Sequence, residues 1–190
     1  MERKTFLSLI GLGLVFHKPA EGSMMPEKMF FKDDGLIPNS RYPLLLYRKA
    51  FKERGDQGAD WLQKKFEENN WGNSWRNGIF DFHHYHSISH EVLGIYSGEA
   101  MVHLGGEKGQ RVNIAAGDII VIPAGVGHKN LGSVELGVVG AYPDGLTWDM
   151  NYGKPEERPR ADNNIAAVPV PSRDPLNGKN GGLLAAWADI

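Results

Sequence analysis

The chain has 190 residues, 41% of them apolar and 23% charged, and a formal net charge of −2. That length supports one domain with a substantial core, and the lack of any basic block or stripe argues against nucleic acid or an anionic membrane surface as a partner. Cysteine is absent, which excludes disulfides, thiolate metal sites and a cysteine nucleophile, while 24 glycines and 11 prolines favour short strands and tight turns over long helices.

Residues 1–20 read as a leader. Met1-Glu2-Arg3-Lys4 precedes an apolar run from Phe6 to Phe16, which is too short to span a bilayer as a stable helix. Arg3-Lys4-Thr5-Phe6-Leu7 resembles a twin-arginine leader with Lys4 in place of the second arginine. This predicts export to the periplasm and no membrane span in the mature protein. Lys18-Pro19-Ala20 is a poor cleavage site, so a cytoplasmic protein with a misplaced start or a short packed helix is the alternative.

Residues 21–39 look irregular, broken by Pro26, Asp33-Asp34-Gly35 and Pro38. Tyr42–Tyr47 (YPLLLY) reads as a strand. Ala59, Leu62 and Phe66 at helical spacing predict one amphipathic helix over Asp56–Asn69. Trp71–Gly78 reads as a turn-rich connector. From 79 to 142 the pattern becomes short strands separated by glycine turns, at 79–86, 91–96, 99–104, 110–114, 118–122, 126–131 and 134–141. Such spacing is the mark of a β-sandwich or barrel. Residues 143–190 read as an extended arm that wraps the barrel, with a further strand at 165–170 and an apolar plug at Leu183–Trp187. The expected organisation is therefore a leader (1–20), an N-terminal arm with strand and helix (21–78), a barrel core (79–142) and a C-terminal extension (143–190).

Six of the seven histidines follow residue 80. Strand side chains alternate faces, so Phe80, Phe82, His84 and His86 share one side, and the two phenylalanines assign that side to the interior. His83 and Tyr85 are then expected outside. Glu91 shares a face with Leu93 and Ile95, which points it inward as well. A carboxylate buried among such residues costs several kcal/mol unless compensated, and a divalent cation compensates it better than neutral imidazoles do. His90 and His103 are expected on the outside. Trp71, Trp75 and Arg76 read as packing of the connector, or else as a ligand mouth with Arg76 clamping a carboxylate. Gly105-Gly106 reads as a hairpin turn. Roles for Tyr85, Trp148 and Asp149 stay open between pocket and interface.

Two spacings carry a family resemblance. Gly78-x5-His84-x-His86-x4-Glu91-x6-Gly98 and Gly117-x5-Pro123-Ala124-Gly125-x2-His128 resemble the two motifs of the cupin superfamily. Gly132 stands where that family usually has an asparagine, and Asn130 lies two residues after His128. Trp71–Arg76, His84–Gly94, Pro123–Lys129, Gly140–Asp144 and Val168–Asp174 are similar to the YjlB-like bacterial cupins. The resemblance implies an all-β cupin fold, a double-stranded β-helix or jelly-roll barrel, here with one short N-terminal helix and extended terminal arms. It implies His84, His86, Glu91 and His128 as ligands of one divalent transition metal (Fe, Mn, Ni, Co or Zn), with positions left open for a small molecule. Hydrogen-bonded core histidines are the competing reading, and a buried cluster of three imidazoles and a carboxylate is hard to satisfy that way. The function implied is a metal-dependent enzyme, of dioxygenase or isomerase type, on a small polar or carbonyl-bearing molecule. The alternative is a non-catalytic ligand-binding or sensing cupin. A C2 homodimer is expected, with Tyr42–Tyr47 and Val168–Pro171 near its interface because a small barrel alone would leave them uncovered.

Overall fold

The computed structural model describes residues 25–188 and residue 190, so the expected leader lies outside the described residues. The strands are β1 (Glu27–Met29), β2 (Leu44–Tyr47), β3 (Trp71–Asn77), β4 (Glu91–Leu104), β5 (Gln110–Ala115), β6 (Ile119–Ile122) and β7 (His128–Pro143). Helix α1 (Gly55–Glu68) separates β2 from β3, and α2 (Arg160–Ala167) and α3 (Gly182–Trp187) follow the last strand. All strand pairs are antiparallel, in the order β1-β2-β6-β4-β7-β3, with β5 also on β4. This is an all-β cupin fold.

The central strand is β4. Its first residues pair with β6 and its last with β5, while β7 runs beside it from Val92 to Leu104. The short strands expected at 91–96 and 99–104 are one strand, as are those at 126–131 and 134–141. Local register shifts absorb the glycines that suggested turns. Gly98 sits at one shift with φ 65°, and a Cβ there would lie 2.1 Å from the Val134 carbonyl oxygen, so only glycine lets the strands pass so closely.

Alternation divides the apolar side chains between two cores. Leu44, Leu46, Leu93, Ile95, Ile120, Ile122 and Val138 fill the barrel interior. Leu45, Tyr47, Val92, Ile119, Val121, Val139 and Ala141 face the other way, against Ala59, Leu62 and Phe66 of α1 and Leu183, Ala186 and Trp187 of α3. The expected helix and apolar plug are both present, each covering the barrel's outer surface. Buried Asp174 fixes the plug, accepting hydrogen bonds from the Tyr47 hydroxyl and from the Leu183 N–H at 2.9 Å.

Four expectations about these elements are corrected. Residues 71–77 are strand β3 rather than a turn-rich connector; Gly72 and Asn73 fall where its register on β7 shifts, between Gly72 and Trp75. Residues 79–86 form no strand; His84 bridges to His128 of β7, the Phe80 carbonyl accepts from the Asn130 N–H of β7, and Tyr85 bridges to Asn151 beyond the sheet. The strand expected at 165–170 is the end of α2 followed by extended chain. Finally, β2 is covered within one chain, paired to β1 on one side and β6 on the other, which removes the reason for placing it at a dimer interface.

Leu62 is fully buried between α1 and the outer face of the sheet. Leu62→Ala is expected to destabilise the fold by about 2–5 kcal/mol, read as a lower urea midpoint with an unchanged slope.

Candidate metal centre

Four side chains from three segments meet at one end of the barrel interior. His84 and His86 come from the stretch before β4, Glu91 opens β4, and His128 opens β7. The irregular stretch is held on both sides. His84 and His128 exchange main-chain hydrogen bonds at 3.3 and 3.0 Å, Tyr85 and Asn151 do so at 2.9 and 3.0 Å, and the Gly125 N–H donates to the His86 carbonyl at 2.8 Å. The extended path between these anchors sends His84 and His86 inward. All four side chains are buried, and one ring nitrogen from each of the three histidines lies within 4.8 Å of the others.

Hydrogen bonding sets which nitrogen that is. Nδ1 of His84 lies 3.3 Å from the Phe82 carbonyl, and Nδ1 of His128 lies 3.3 Å from the Val126 carbonyl. Nδ1 of His86 donates to the Asp149 carbonyl in a short contact. A carbonyl can only accept, so in the neutral rings each proton sits on Nδ1 and each Nε2 keeps a free lone pair. Glu91 Oε2 faces two of these, 3.5 Å from Nε2 of His86 and 3.4 Å from Nε2 of His128. Oε2 itself is buried without a hydrogen-bond partner. Free imidazole nitrogens converging with an orphaned carboxylate oxygen make a donor set suited to a divalent cation.

The other carboxylate oxygen is tied to β7 and β3. The Tyr142 hydroxyl donates to Glu91 Oε1 at 2.8 Å, and Trp75 Nε1–H donates to the Tyr142 oxygen at 2.9 Å. Gly140 makes room for this relay, since a Cβ there would lie 2.2 Å from the Trp75 ring. Burial and the neighbouring carboxylate raise the Tyr142 phenol far above its usual range, so it stays a donor. For Glu91, burial opposes the charge, but the neighbouring His86 and His128 rings outweigh it and hold the carboxyl well below the usual range. Burial, with His128 and His86 beside it, lowers His84 to about 3. For His86 burial also opposes the charge, yet Glu91 and the Asp149 carbonyl prevail and raise its pKa.

The centre opens into a cavity of about 340 Å³ lined by β3 and by Ile79, Phe80, Leu93, Trp148 and Met150 as well as the polar groups above. The expected interior packing of Phe80 and Phe82 is corrected here. They are 47% and 41% exposed and stack on each other with His84 against their edge, forming the rim. Trp75 lines the wall, whereas Arg76 binds Asp60 and Gln63 of α1 and is no free clamp. Trp148 packs on His86 with ring centres 5.3 Å apart, and Asp149 accepts from Ser87 and Ile88 N–H groups, fixing the turn after His86. Asn130 accepts from the Gly132 N–H in a local turn away from the cavity.

Tyr85 and His90, expected outside, are corrected, and so is the expected exposure of His83 and His103. Tyr85 is fully buried and donates to Glu157 at 3.0 Å. His90 is buried between Tyr42 and Trp187, accepting from the Ala124 N–H at 2.9 Å and donating to the Pro169 carbonyl at 3.2 Å, and burial lowers it to about 4. His103 and His83 do face away from the barrel interior but are covered there by one another and by the β4–β5 hairpin; burial lowers His83 to about 4.

No family model matches this chain. It is 44% identical over 160 residues to the uncharacterized protein YjlB of Bacillus subtilis (strain 168), covering 83% of this chain and 94% of that one. The chain belongs to the YjlB-like cupins. Among solved structures, it is similar to an acireductone dioxygenase from Bacillus anthracis with a cadmium ion in its active centre, at 13% identity and a TM-score of 0.40 over 56% of this chain and 82% of that one. It is also similar to the oxalate decarboxylase of Bacillus subtilis, at 18% identity and a TM-score of 0.35 over 58% of this chain and 28% of that one.

Sequence reasoning missed Tyr142, because its signal is positional: it takes the inner face of β7 only once Val138 is known to be inside. Tyr142→Phe removes the donor to Glu91 Oε1 while leaving the ring's packing. It is expected to weaken divalent-metal binding about 10–100-fold with the fold intact, measured by competition with a chelating dye. A raised His86 pKa means its ring is still partly protonated above pH 6.5, the ordinary imidazole value. Metal binding must expel that proton, so affinity is expected to fall as pH drops through a point above 6.5, with proton release seen calorimetrically; His84, neutral down to about pH 3, contributes nothing in that range.

Proposed function

We infer that this YjlB-like cupin is a metal-dependent enzyme acting on a small molecule, with His84, His86, Glu91 and His128 holding one divalent transition metal ion. The observation that carries this reading is the orphaned, buried Oε2 of Glu91 facing imidazole nitrogens whose protons are committed elsewhere. Three nitrogens and one oxygen suit Fe(II), Mn(II), Ni(II), Co(II) or Zn(II). When bound, such an ion supplies Lewis acidity or, if redox-active, one-electron chemistry. The cavity walls refine the substrate class. Trp75, Phe80 and Trp148 favour a molecule with an apolar, planar body and oxygen donors at one end, rather than a wholly polar one.

A second reading, a binding or sensing cupin, is favoured by one observation. Among the described residues, beyond the four proposed ligands, Tyr142 and the engaged Arg76 are the only titratable side chains lining the cavity, so general acid–base chemistry has few candidates. Homodimerisation remains part of the proposal. Its support is the open outer edges of β1 and β3 among the described residues rather than β2, and light scattering decides it.

Protein purified without chelator is expected to carry close to one transition-metal ion per chain at the interior site. His84→Ala and His128→Ala are expected to lose it, and Glu91→Gln to bind more weakly because the amide brings no charge. Elemental analysis showing no metal after reconstitution would overturn the assignment. Oxygen-consumption and product assays on aromatic and carbonyl-bearing acids, run with Fe, Mn, Ni and Zn forms, separate the readings. Turnover supports the enzyme, and tight capture without turnover in any form supports the binder.

A further inference from the structure

The residues that place the interior ligands also place a second cluster behind them. His84 points into the barrel and His83 away from it; His128 points in and Lys129 out. On that outer surface His83 meets His103 of β4, their ring centres 5.0 Å apart, and Glu107 of the β4–β5 hairpin. Glu107 Oε1 is 3.4 Å from His83 Nε2, and one ligand atom from each of the three residues lies within 4.8 Å of the other two.

His83 is the unusual member. Its side chain is only 11% exposed, and both ring nitrogens are buried without a hydrogen-bond partner among the described residues. A neutral imidazole carries one donor and one acceptor, and leaving both unmet costs free energy that an ordinary packed histidine avoids, as His90 does. His83 is therefore placed as a ligand is placed, beside a second imidazole and a carboxylate.

We propose that His83, His103 and Glu107 form a second divalent-cation site, for a borderline ion such as Zn(II), on the outer wall of the barrel. Two imidazoles and one carboxylate provide three ligands and leave a position for water, so the ion exchanges with solvent. Lys129, the cross-strand partner of His103, now holds the oxygen that the ion would take: its Nζ lies 2.7 Å from Glu107 Oε1. The ammonium is a resident competitor. The Glu107 side chain is 71% exposed, free to turn from the lysine to an ion, and binding is correspondingly weaker than at the interior site. Occupancy would tie the β4–β5 hairpin to the segment that carries His84 and His86, adding a side-chain anchor to its main-chain bonds with His128, Gly125 and Asn151.

The test is a calorimetric titration of the chelator-stripped full chain with Zn(II). Two classes of site per chain are expected. Glu107→Gln and His103→Ala should each weaken the weaker class by about tenfold or more and leave the tighter one unchanged. Lys129→Met should strengthen the weaker class, an outcome that a nonspecific surface contact does not produce. Glu107 lies at the surface, so Glu107→Gln reports on binding even if His103→Ala disturbs the fold, and circular dichroism checks both. A single class in both the wild type and Lys129→Met would overturn the proposal. So would a weaker class unmoved by Glu107→Gln, or one weakened by Lys129→Met. The interior reading fails separately: His84→Ala should abolish the tighter class and spare the weaker one.

Discussion

An ionised carboxylate inside an apolar barrel is the constraint around which this structure is arranged. Glu91 shares the interior with Leu93 and Ile95, where an uncompensated charge costs several kcal/mol. Its two oxygens are treated differently. Oε1 accepts from Tyr142, which accepts from Trp75, so β4, β7 and β3 are tied together through one carboxylate. Oε2 is left facing imidazoles whose rings are turned by main-chain carbonyls. A merely structural carboxylate would have both oxygens satisfied, as those of Glu157 and Asp174 are in the same chain. The asymmetry at Glu91 separates a site from a core ion pair.

The barrel walls impose a second requirement. Runs such as LLLY in β2 and IIVI in β6 are apolar on both faces, so filling the barrel interior leaves an equal surface to be hidden outside. Helices α1 and α3 hide it, and the buried Asp174 staple and the Trp187 indole, which donates to the Pro43 carbonyl at 3.0 Å, fix α3 in place. This cover accounts for His90. It belongs to the outer face of the sheet, and the outer face is itself a core.

What was legible in the sequence follows from the range of the forces involved. The inward turn of His84, His86 and Glu91 rests on alternation over a few residues, and α1 on a 3.6-residue period. Both are local and both hold in the structure. Alternation gives direction but not cover, so it sets the outward face of His83 and His103 without showing that any of His83, His90, His103 and Tyr85 is covered: the groups that bury His90 and Tyr85 come from distant chain, Trp187 over His90 and Glu157 over Tyr85. Phe80 and Phe82 show the converse. They lie on the side of His84, as alternation required, but beyond the last strand pairing, where the interior becomes a mouth. Glycine misled at 71–78 and along β4 and β7 because bulges and close strand contacts use it as readily as turns do.

The chain beyond β7 is part of the centre, not an appendage to it. Trp148 forms one wall against His86 and Tyr142. Asp149 does two jobs at once: its main-chain carbonyl orients the His86 ring, and its carboxylate, which also accepts from Asn151 at 2.8 Å, holds the turn that follows. Asn151 then closes the bridge to Tyr85, whose buried hydroxyl rests on Glu157. The direction of His86 therefore depends on residues more than sixty positions later, on a segment with no regular strand of its own. Ligand geometry and the folding of that segment are coupled. An ion gripped by His86 would stabilise the whole run from Trp148 to Glu157, and loosening that run would be felt first at His86.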